Sequence, residues 1–270
     1  MLPTFDLLHL QPAGANRYRL EVRPDLATPF GFLYGGSGIA AAAEAAEQAT
    51  GRPLQWITTQ FIGSPPPGSS VDLQVAVVAD GRATTQSQVA ATVDGELMFT
   101  SLCAHTVRPG GDGAQFIEMP EVPAPDECEE MAPPFDIDLS NSFFATLDRR
   151  VAAGRIGQEA IDRPQLGVMA IWCRVRGHTM GTPASQAFVA DIIPLAIGAA
   201  LGSLPGATSL DNTLRVIDPE PTDWVLLELV AEGFHRSIGH GSLRVWGEDG
   251  RLKAIAQQSA IIRTSHHDRA

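Results

Sequence analysis

The sequence has little positive charge. Its 270 residues include 19 lysines and arginines against 31 aspartates and glutamates, which gives a formal net charge of −12. Proteins that bind nucleic acid or anionic membranes usually carry a basic patch. We therefore expect no nucleic-acid partner and no membrane partner. An anionic ligand would have to be bound by local arginines or by backbone N–H groups.

Cysteine is also scarce. The three cysteines, Cys103, Cys128 and Cys173, are odd in number and lack the spacing of metal ligands. We therefore expect no metal site at these cysteines. No metal and no cofactor are expected elsewhere in the chain. Free thiols of this kind fit a reducing cytoplasm better than a disulfide framework. The first residues contain no basic segment followed by a long apolar run, so no signal peptide is predicted.

One long apolar segment, residues 183–204, contains Asp191 as its only charged residue. A helix that is apolar on all sides is normally buried, and a buried carboxylate is costly unless it is paired or hydrogen-bonded. Asp191 is therefore either a hydrogen-bonded part of the scaffold or a working group. Asp191 and Pro194, together with the lack of flanking lysines and arginines, argue against a membrane span.

The first half of the chain alternates between strand and helix patterns. A strand at 18–22 precedes a glycine-rich entry at 31–38 and a helix at 39–50, whose Glu44, Glu47 and Gln48 are predicted to face solvent. Four strands of an antiparallel meander are then predicted, at 54–62, 71–80, 83–93 and 96–107.

The second half repeats this order after a proline-rich, acidic segment at 108–137, which we interpret as a linker across the surface. Strands are predicted at 143–152 and 164–177, followed by a helix at 183–204. The remaining predicted strands lie at 207–217, 223–234, 241–247 and 251–263.

Short motifs recur at equal spacing in the two halves. Asp-Gly-Glu-Leu at 94–97 matches Asp-Gly-Arg-Leu at 249–252, and Arg108 matches Arg263. Such an internal repeat indicates two copies of one supersecondary unit. The sequence thus predicts an α+β fold with pseudo-twofold symmetry, in which each unit is an antiparallel sheet wrapped around a helix. The predicted division is an N-terminal repeat at 1–107, the linker at 108–137 and a C-terminal repeat at 138–270.

The chain resembles the acyl-CoA thioesterase II family, whose fold is a double hotdog. Four motifs carry the resemblance: YGGSG at 34–38, VADIIPLAIGAAL at 189–201, TSLDNT at 208–213 and AQQSAIIR at 256–263. The chain departs from the family pattern at Ser37, where Gln is usual, at Asn212, where His is common, and at Ser259, where an acidic residue is usual. The resemblance covers nearly the whole length.

The resemblance implies that Asp191, Ser209 and Gln258 are the catalytic residues and that the substrate is an acyl-CoA. Asp191 would take a proton from water, with Ser209 and Gln258 holding that water or holding Asp191 in position. Backbone N–H groups of Gly35 and Gly36 at a helix start would suit a developing oxyanion. The two glycines could equally serve only close packing of the helix on the sheet.

Simpler interpretations of these residues stay open. Ser209 could be a strand-start hydroxyl that bonds its own backbone, and it lacks the GxSxG context of a covalent nucleophile. Gln258 could face solvent, with Gln257 on the opposite face of the strand. The first repeat has Cys103 at the position that matches Gln258, so one active site per chain is expected.

Hydrolysis of acyl-CoA thioesters is the function that the sequence favours. A hotdog hydratase or dehydratase would need an Asp–His pair near a helix entry, and no such pair is evident. A non-catalytic acyl-CoA binder or a degenerate relative is the alternative from a different class. We expect a cytoplasmic protein, and by analogy with other double sandwiches it could form a homodimer.

Overall fold

One antiparallel sheet runs through both halves of the chain. The computed structural model describes residues 2–108, 113–133, 138–165, 168–203 and 206–263. The strands are β1 (Gln11–Gly14), β2 (Arg17–Glu21), β3 (Leu54–Phe61), β4 (Ser70–Asp80), β5 (Thr84–Val93), β6 (Glu96–Thr106), β7 (Glu129–Glu130), β8 (Leu147–Ala153), β9 (Val168–Val175), β10 (Gly206–Val216), β11 (Val225–His235), β12 (Ile238–Gly247) and β13 (Leu252–Arg263). Within the described ranges their spatial order is β1-β2-β4-β5-β6-β3-β10-β13-β12-β11-β9-β8-β7.

The helices lie on the inner face of this sheet. They are α1 (Gly35–Thr50), α2 (Gly157–Asp162), α3 (Pro183–Val189) and α4 (Ile193–Leu201). α1 packs on β3 to β6 and against α3, whereas α4 packs on β11 to β13. α1 ends where predicted, at Gly51, which adopts the left-handed conformation typical of a helix C-terminus.

The prediction that Glu44 and Glu47 face solvent is wrong. They are 5% and 4% exposed, because the N-terminal segment and the start of β3 cover this side of α1. Glu44 accepts the backbone N–H of Phe5, and Glu47 accepts that of Leu54. Both carboxylates thus satisfy backbone donors that would otherwise be buried without partners.

The single helix predicted at 183–204 is also wrong. The chain forms α3 and α4 instead, with a break at residues 190–192, while Leu204 lies outside the described residues. Pro194 explains the break, because it lacks the N–H that a continuous helix would donate to the Ala190 carbonyl. Pro183–Leu201 is long and apolar enough to cross a membrane, but 72% of its most apolar window is buried inside the protein, as in a core helix.

The two halves meet edge to edge at β3 and β10. Thr58 and Thr213, which are 155 residues apart, are paired in the antiparallel register and joined by a side-chain hydrogen bond. The same offset relates the repeated motifs, so the pseudo-twofold axis passes through this pair. This axis relates α1 to the stretch that contains the break and α4. The helix α3 has no counterpart in the first half and packs against α1.

The linker does more than cross the surface. Met119 and Val122 pack against a cluster on the outer face of the second half-sheet, and Trp172 donates its indole N–H to the Pro123 carbonyl at 2.8 Å. Trp224 and Trp246 belong to this cluster, so they are core residues rather than part of the cavity wall. The division at 107/108 and 137/138 stays a prediction.

Two further segments differ from the predicted pattern. Residues Phe143–Thr146 form a 3-10 helix, so the strand predicted at 143–152 begins at Leu147. The short helix α2 was not predicted, and it lies between β8 and β9. Phe143, Phe144 and Ala160 of these segments line the cavity described below.

Candidate active site

The Asp191 side chain sits in the break between α3 and α4 and faces a partly open cavity of about 330 Å³. Asp191 is 8% exposed. The cavity wall is mostly apolar and is built from both halves of the chain, including Phe61, Phe143, Ile171, Val189 and Leu195. Such a cavity, with few polar groups converging on it, is typical of a small-molecule site.

Two amides and one backbone N–H converge on the Asp191 carboxylate. Gln258 Nε2 donates to Oδ1 at 2.5 Å, and Asn212 Nδ2 donates to the same oxygen at 3.3 Å. The Gly36 backbone N–H also stabilises the charged form of Asp191. Burial nevertheless outweighs these three donors and raises the pKa of Asp191 to about 7.

Gly35 and Gly36 allow α1 to approach this carboxylate closely. A Cβ atom on Gly35 would lie 2.3 Å from Asp191 Oδ2, and one on Gly36 would lie 2.3 Å from the Phe188 carbonyl oxygen. Gly36 also occupies the position that matches Asp191 in the repeat, so equivalent points of the two copies face each other across the axis. Close packing therefore requires both glycines, whatever further role their N–H groups have.

Ser209 is brought to the site by a β-bulge. Its hydroxyl oxygen accepts a hydrogen bond from Gln258 Nε2 at 2.8 Å, so Asp191 and Ser209 are bonded to the same amide nitrogen. The bulge lies between Ser209 and Asp211. It turns Ser209 and Asn212, which are an odd number of residues apart, to the same inner face.

The strand β13 presents Gln258 inward, where it is 2% exposed, and Gln257 outward. Gln258 does not line the cavity, whereas Asp191 and Ser209 do. Its amide therefore stands behind the two groups and holds them, which favours the positioning role over direct contact with water. Asp211 also points away from the site and accepts the Ser259 N–H at 2.8 Å.

Two residues at this site were missed by the sequence reasoning. Asn212, treated there only as a departure from the family pattern, donates to Asp191 and lies 3.5 Å from the Ala190 carbonyl that Pro194 leaves free. Tyr34 is 5% exposed and lines the cavity beside Asp191. For Asn212 the sequence did contain an indication, namely Pro194, because a proline inside a helix pattern leaves a backbone carbonyl free to accept from another donor.

The matching positions of the first repeat carry no such set. Gly36 corresponds to Asp191, Leu54 to Ser209 and Cys103 to Gln258. Burial raises the pKa of the Cys103 thiol to about 12, so it stays neutral. Of the other departures from the family pattern, Ser37 donates to the Leu26 carbonyl inside the fold, and Ser259 contacts His240 on the outer face.

Within the described ranges no group of three or more His, Cys, Asp or Glu side chains could hold a metal ion. Arg174 and Arg176 both pair with Asp148, at 2.8 and 2.6 Å. Next to the Asp191 carboxylate, the cavity wall offers the Ser209 hydroxyl and nearby backbone N–H donors for chemistry.

Comparison with solved structures gives matches along most of the chain. A candidate thioesterase from Novosphingobium aromaticivorans is 31% identical, with a TM-score of 0.84, over 94% of this chain and 98% of that one. The acyl-CoA thioesterase II TesB2 from Mycobacterium marinum is 17% identical, with a TM-score of 0.75, over 97% and 99%. The tesB protein of Mycobacterium avium subspecies paratuberculosis is 19% identical, with a TM-score of 0.75, over 94% and 96%.

The predicted double-hotdog fold is confirmed by these likenesses. A search of curated proteins finds no match. Two family models match in tandem: the acyl-CoA thioesterase N-terminal domain over residues 23–107 and the acyl-CoA thioesterase C-terminal domain over residues 125–262. The chain therefore belongs to the acyl-CoA thioesterase family and is a thioester hydrolase, as its sequence motifs predicted.

Proposed function

We propose that this protein hydrolyses acyl-CoA thioesters with a water molecule that Asp191 activates. The observation that carries the proposal is the Asp191 carboxylate itself, which is buried, has a pKa raised to about 7 and faces an apolar cavity beside the Ser209 hydroxyl. A carboxylate with a pKa near neutrality is a stronger base than a solvated one and is still ionised in part at pH 7.

The proposed reaction begins with water between Asp191 and Ser209. As the water oxygen attacks the thioester carbonyl carbon, one water proton passes to Asp191 and the carbonyl becomes an oxyanion. The tetrahedral intermediate collapses with cleavage of the carbon–sulfur bond, which yields the free acid and the coenzyme thiolate, and Asp191 then releases its proton to the thiolate or to solvent. The leaving thiol has a pKa of about 8.5, so it needs no general acid, whereas water, with a pKa of about 15.7, needs the base.

Gly35 is the proposed donor to the oxyanion. It lines the cavity, and as the first residue of α1 it has no intrahelical partner for its N–H. No other described residue accepts from this N–H either. A free N–H at the start of a 16-residue helix suits a developing negative charge. The Gly36 N–H instead serves Asp191.

Thiol release from a panel of acyl-CoAs, detected with a chromogenic thiol reagent, tests this function. We expect release from at least part of the panel. Binding of acyl-CoA without release of thiol from any member would favour the non-catalytic binder instead. The hydratase alternative lacks support, because the partners of Asp191 are two amides and a backbone N–H rather than a histidine.

The activity should depend on pH through Asp191. Because only the ionised carboxylate can take the proton, kcat/KM is expected to rise with pH and to reach half of its plateau near pH 7. The measurement is a rate profile from acid to mildly alkaline pH. Glu47→Gln is the matched control, since burial also raises the pKa of Glu47 to about 7 but Glu47 is remote from the cavity. A profile that moves in this control would contradict the assignment to Asp191.

Ser209→Ala and Gln258→Ala are each expected to lower kcat by less than the loss of Asp191 does. Their combination should cost less than the product of the single effects, because Gln258 Nε2 bridges Ser209 and Asp191 and the three groups act as one unit. Kinetics of the two single variants and the double variant check this. Multiplicative effects would show that the two side chains act independently.

The remaining expectations stay predictions. The acyl-CoA is the proposed partner, with no nucleic acid, no membrane and no cofactor. A homodimer and a cytoplasmic location are the expected assembly and compartment.

A further inference from the structure

The cavity contains a second charged group, which the proposed hydrolysis does not use. Arg149 of β8 lines the same cavity as Asp191, among Met131, Phe144 and Leu147. Its Cζ atom lies 4.5 Å above the centre of the Phe144 ring. A guanidinium in an apolar wall loses hydration and needs compensation by an acceptor, preferably an anionic one.

Arg149 has no such acceptor among the described residues. Its Nε is buried without a hydrogen-bond partner, and its Nη1 contacts only the Met131 sulfur, a weak acceptor, at 3.8 Å. None of the ion pairs among the described residues involves Arg149, and Glu130 acts on it only at longer range. By contrast, the nearby Arg174 and Arg176 are both paired with Asp148.

Tyr34 supplies a second unpaired donor to the same cavity. Its hydroxyl is buried; the Asp191 backbone N–H acts on its oxygen, but its own proton has no acceptor among the described residues. Burial raises the pKa of Tyr34 well above 10, so the hydroxyl keeps its proton and can donate. The Tyr34 ring stacks on Phe143 at 3.7 Å, and Phe143 in turn packs on Phe144 beneath Arg149. Both donors are thus fixed by one row of aromatic rings.

The location of Arg149 indicates which part of a substrate it meets. An acyl chain is the part of an acyl-CoA that suits an apolar cavity, whereas the nucleotide phosphates suit the solvated surface. A chain that ends in a methyl group would bury the guanidinium without an acceptor. A chain that ends in a carboxylate would supply the anion that Arg149 lacks.

We propose that the preferred substrates are thioesters whose acyl chain ends in a carboxylate, with Arg149 binding that carboxylate and the Tyr34 hydroxyl donating a hydrogen bond to one of its oxygens. This inference rests on the proposed hydrolysis of acyl-CoA and specifies the acyl group. A site built to hydrogen-bond a substrate group discriminates strongly against an analogue that lacks the group, because its own donors are then left unpaired.

The test compares two matched series of acyl-CoAs, one with terminal methyl groups and one in which a carboxylate replaces the methyl. The wild type is expected to show kcat/KM at least ~10-fold higher for the carboxylate series at its best length. Arg149→Met, which keeps the apolar stem, should lose this preference mainly through KM and keep or improve its activity on the methyl series. Tyr34→Phe should lower the preference by a smaller factor.

Arg150→Met is the matched control. Arg150 is the next residue on β8 and lies outside the cavity, with its Nη1 donating to the Cys128 carbonyl at 3.2 Å. Its loss should leave the preference unchanged. Equal wild-type rates on both series, or an equal loss on both series in Arg149→Met, would overturn the proposal.

Two further measurements separate the possible causes. The first measurement uses both acyl series as N-acetylcysteamine thioesters, which lack the nucleotide of coenzyme A. If Arg149→Met has no effect on these substrates, Arg149 binds the nucleotide phosphates and the proposal is overturned. Calorimetric binding of both series to Asp191→Asn requires no turnover. Tighter binding of the carboxylate series by that variant would support the acyl specificity even if the wild type released no thiol, so the two proposals can fail separately.

Discussion

Asp191→Asn is expected to lower kcat by about 10²–10⁴-fold, the range that general-base assistance supplies. Asparagine keeps the shape of the side chain and can still accept from Gln258 through its carbonyl oxygen, but it cannot take a proton from water. The measurement is thiol release under saturating acyl-CoA. Asp211→Asn is the matched control, because Asp211 lies on the outer face of the sheet and its bond from the Ser259 N–H survives the change. Wild-type turnover in Asp191→Asn would refute the assignment of the base.

The same substitution is expected to change thermal stability in a pH-dependent way, and the raised pKa of Asp191 gives the direction of the change. The folded state raises the pKa of Asp191 from 3.8 to about 7, so the folded state binds the proton more tightly than the unfolded state. The contribution of this group to stability is therefore greatest in acid and is lost as the pH rises from about 4 to about 7. Tm of Asp191→Asn relative to the wild type should accordingly be higher at pH 8 than at pH 5. A difference that is independent of pH would show that Asp191 titrates normally.

Gly35→Ala is expected to lower kcat/KM by about 10²-fold, because its Cβ would lie 2.3 Å from Asp191 Oδ2 and 3.0 Å from the Phe61 ring. The carboxylate is the flexible partner, so it moves, and the alignment of base, water and substrate is lost. Alanine is otherwise favoured over glycine in a helix, so we expect Tm to fall only slightly although kcat/KM falls strongly.

The control for this substitution is Gly233→Ala on β11, where an added Cβ meets no atom within 4 Å. It should leave kcat/KM unchanged. Full activity in Gly35→Ala, with Tm unchanged, would mean that Asp191 need not occupy its observed position during catalysis.

The repeat and the order of elements could be predicted from the sequence because they depend on local patterns. Alternation of apolar and polar residues located eleven of the strands to within a few residues, although the start of β8 was misplaced. The Asp-Gly pair at 94–95 marked a turn in which both residues have positive φ. The spacing of Asp94 and Asp249 then gave the offset that relates the halves.

The errors arose where tertiary contacts override the local pattern. Glu44 and Glu47 have the spacing of a solvated face, yet they are buried because distant segments bring backbone donors to them. The apolar run at 183–204 has the composition of one helix, yet Pro194 divides it and turns Asp191 toward the cavity. The bulge after Ser209 was not predicted from the sequence pattern. Without the bulge, Ser209 and Asn212 would face opposite sides of β10.

The sequence by itself determined the two-copy architecture and the isolation of one carboxylate among aliphatic residues, because periodicity and composition record which faces are buried. Its short motifs indicated the family by resemblance. Only the tertiary structure decided what that carboxylate meets. Gly36 of the first copy, Gln258 of the last strand and Asn212 beyond the bulge are far apart along the chain and converge through the pairing of β3 with β10. The tertiary structure also places Arg149 in this cavity. The alternating pattern of a strand shows which residues share a face, but it does not show which cavity that face lines.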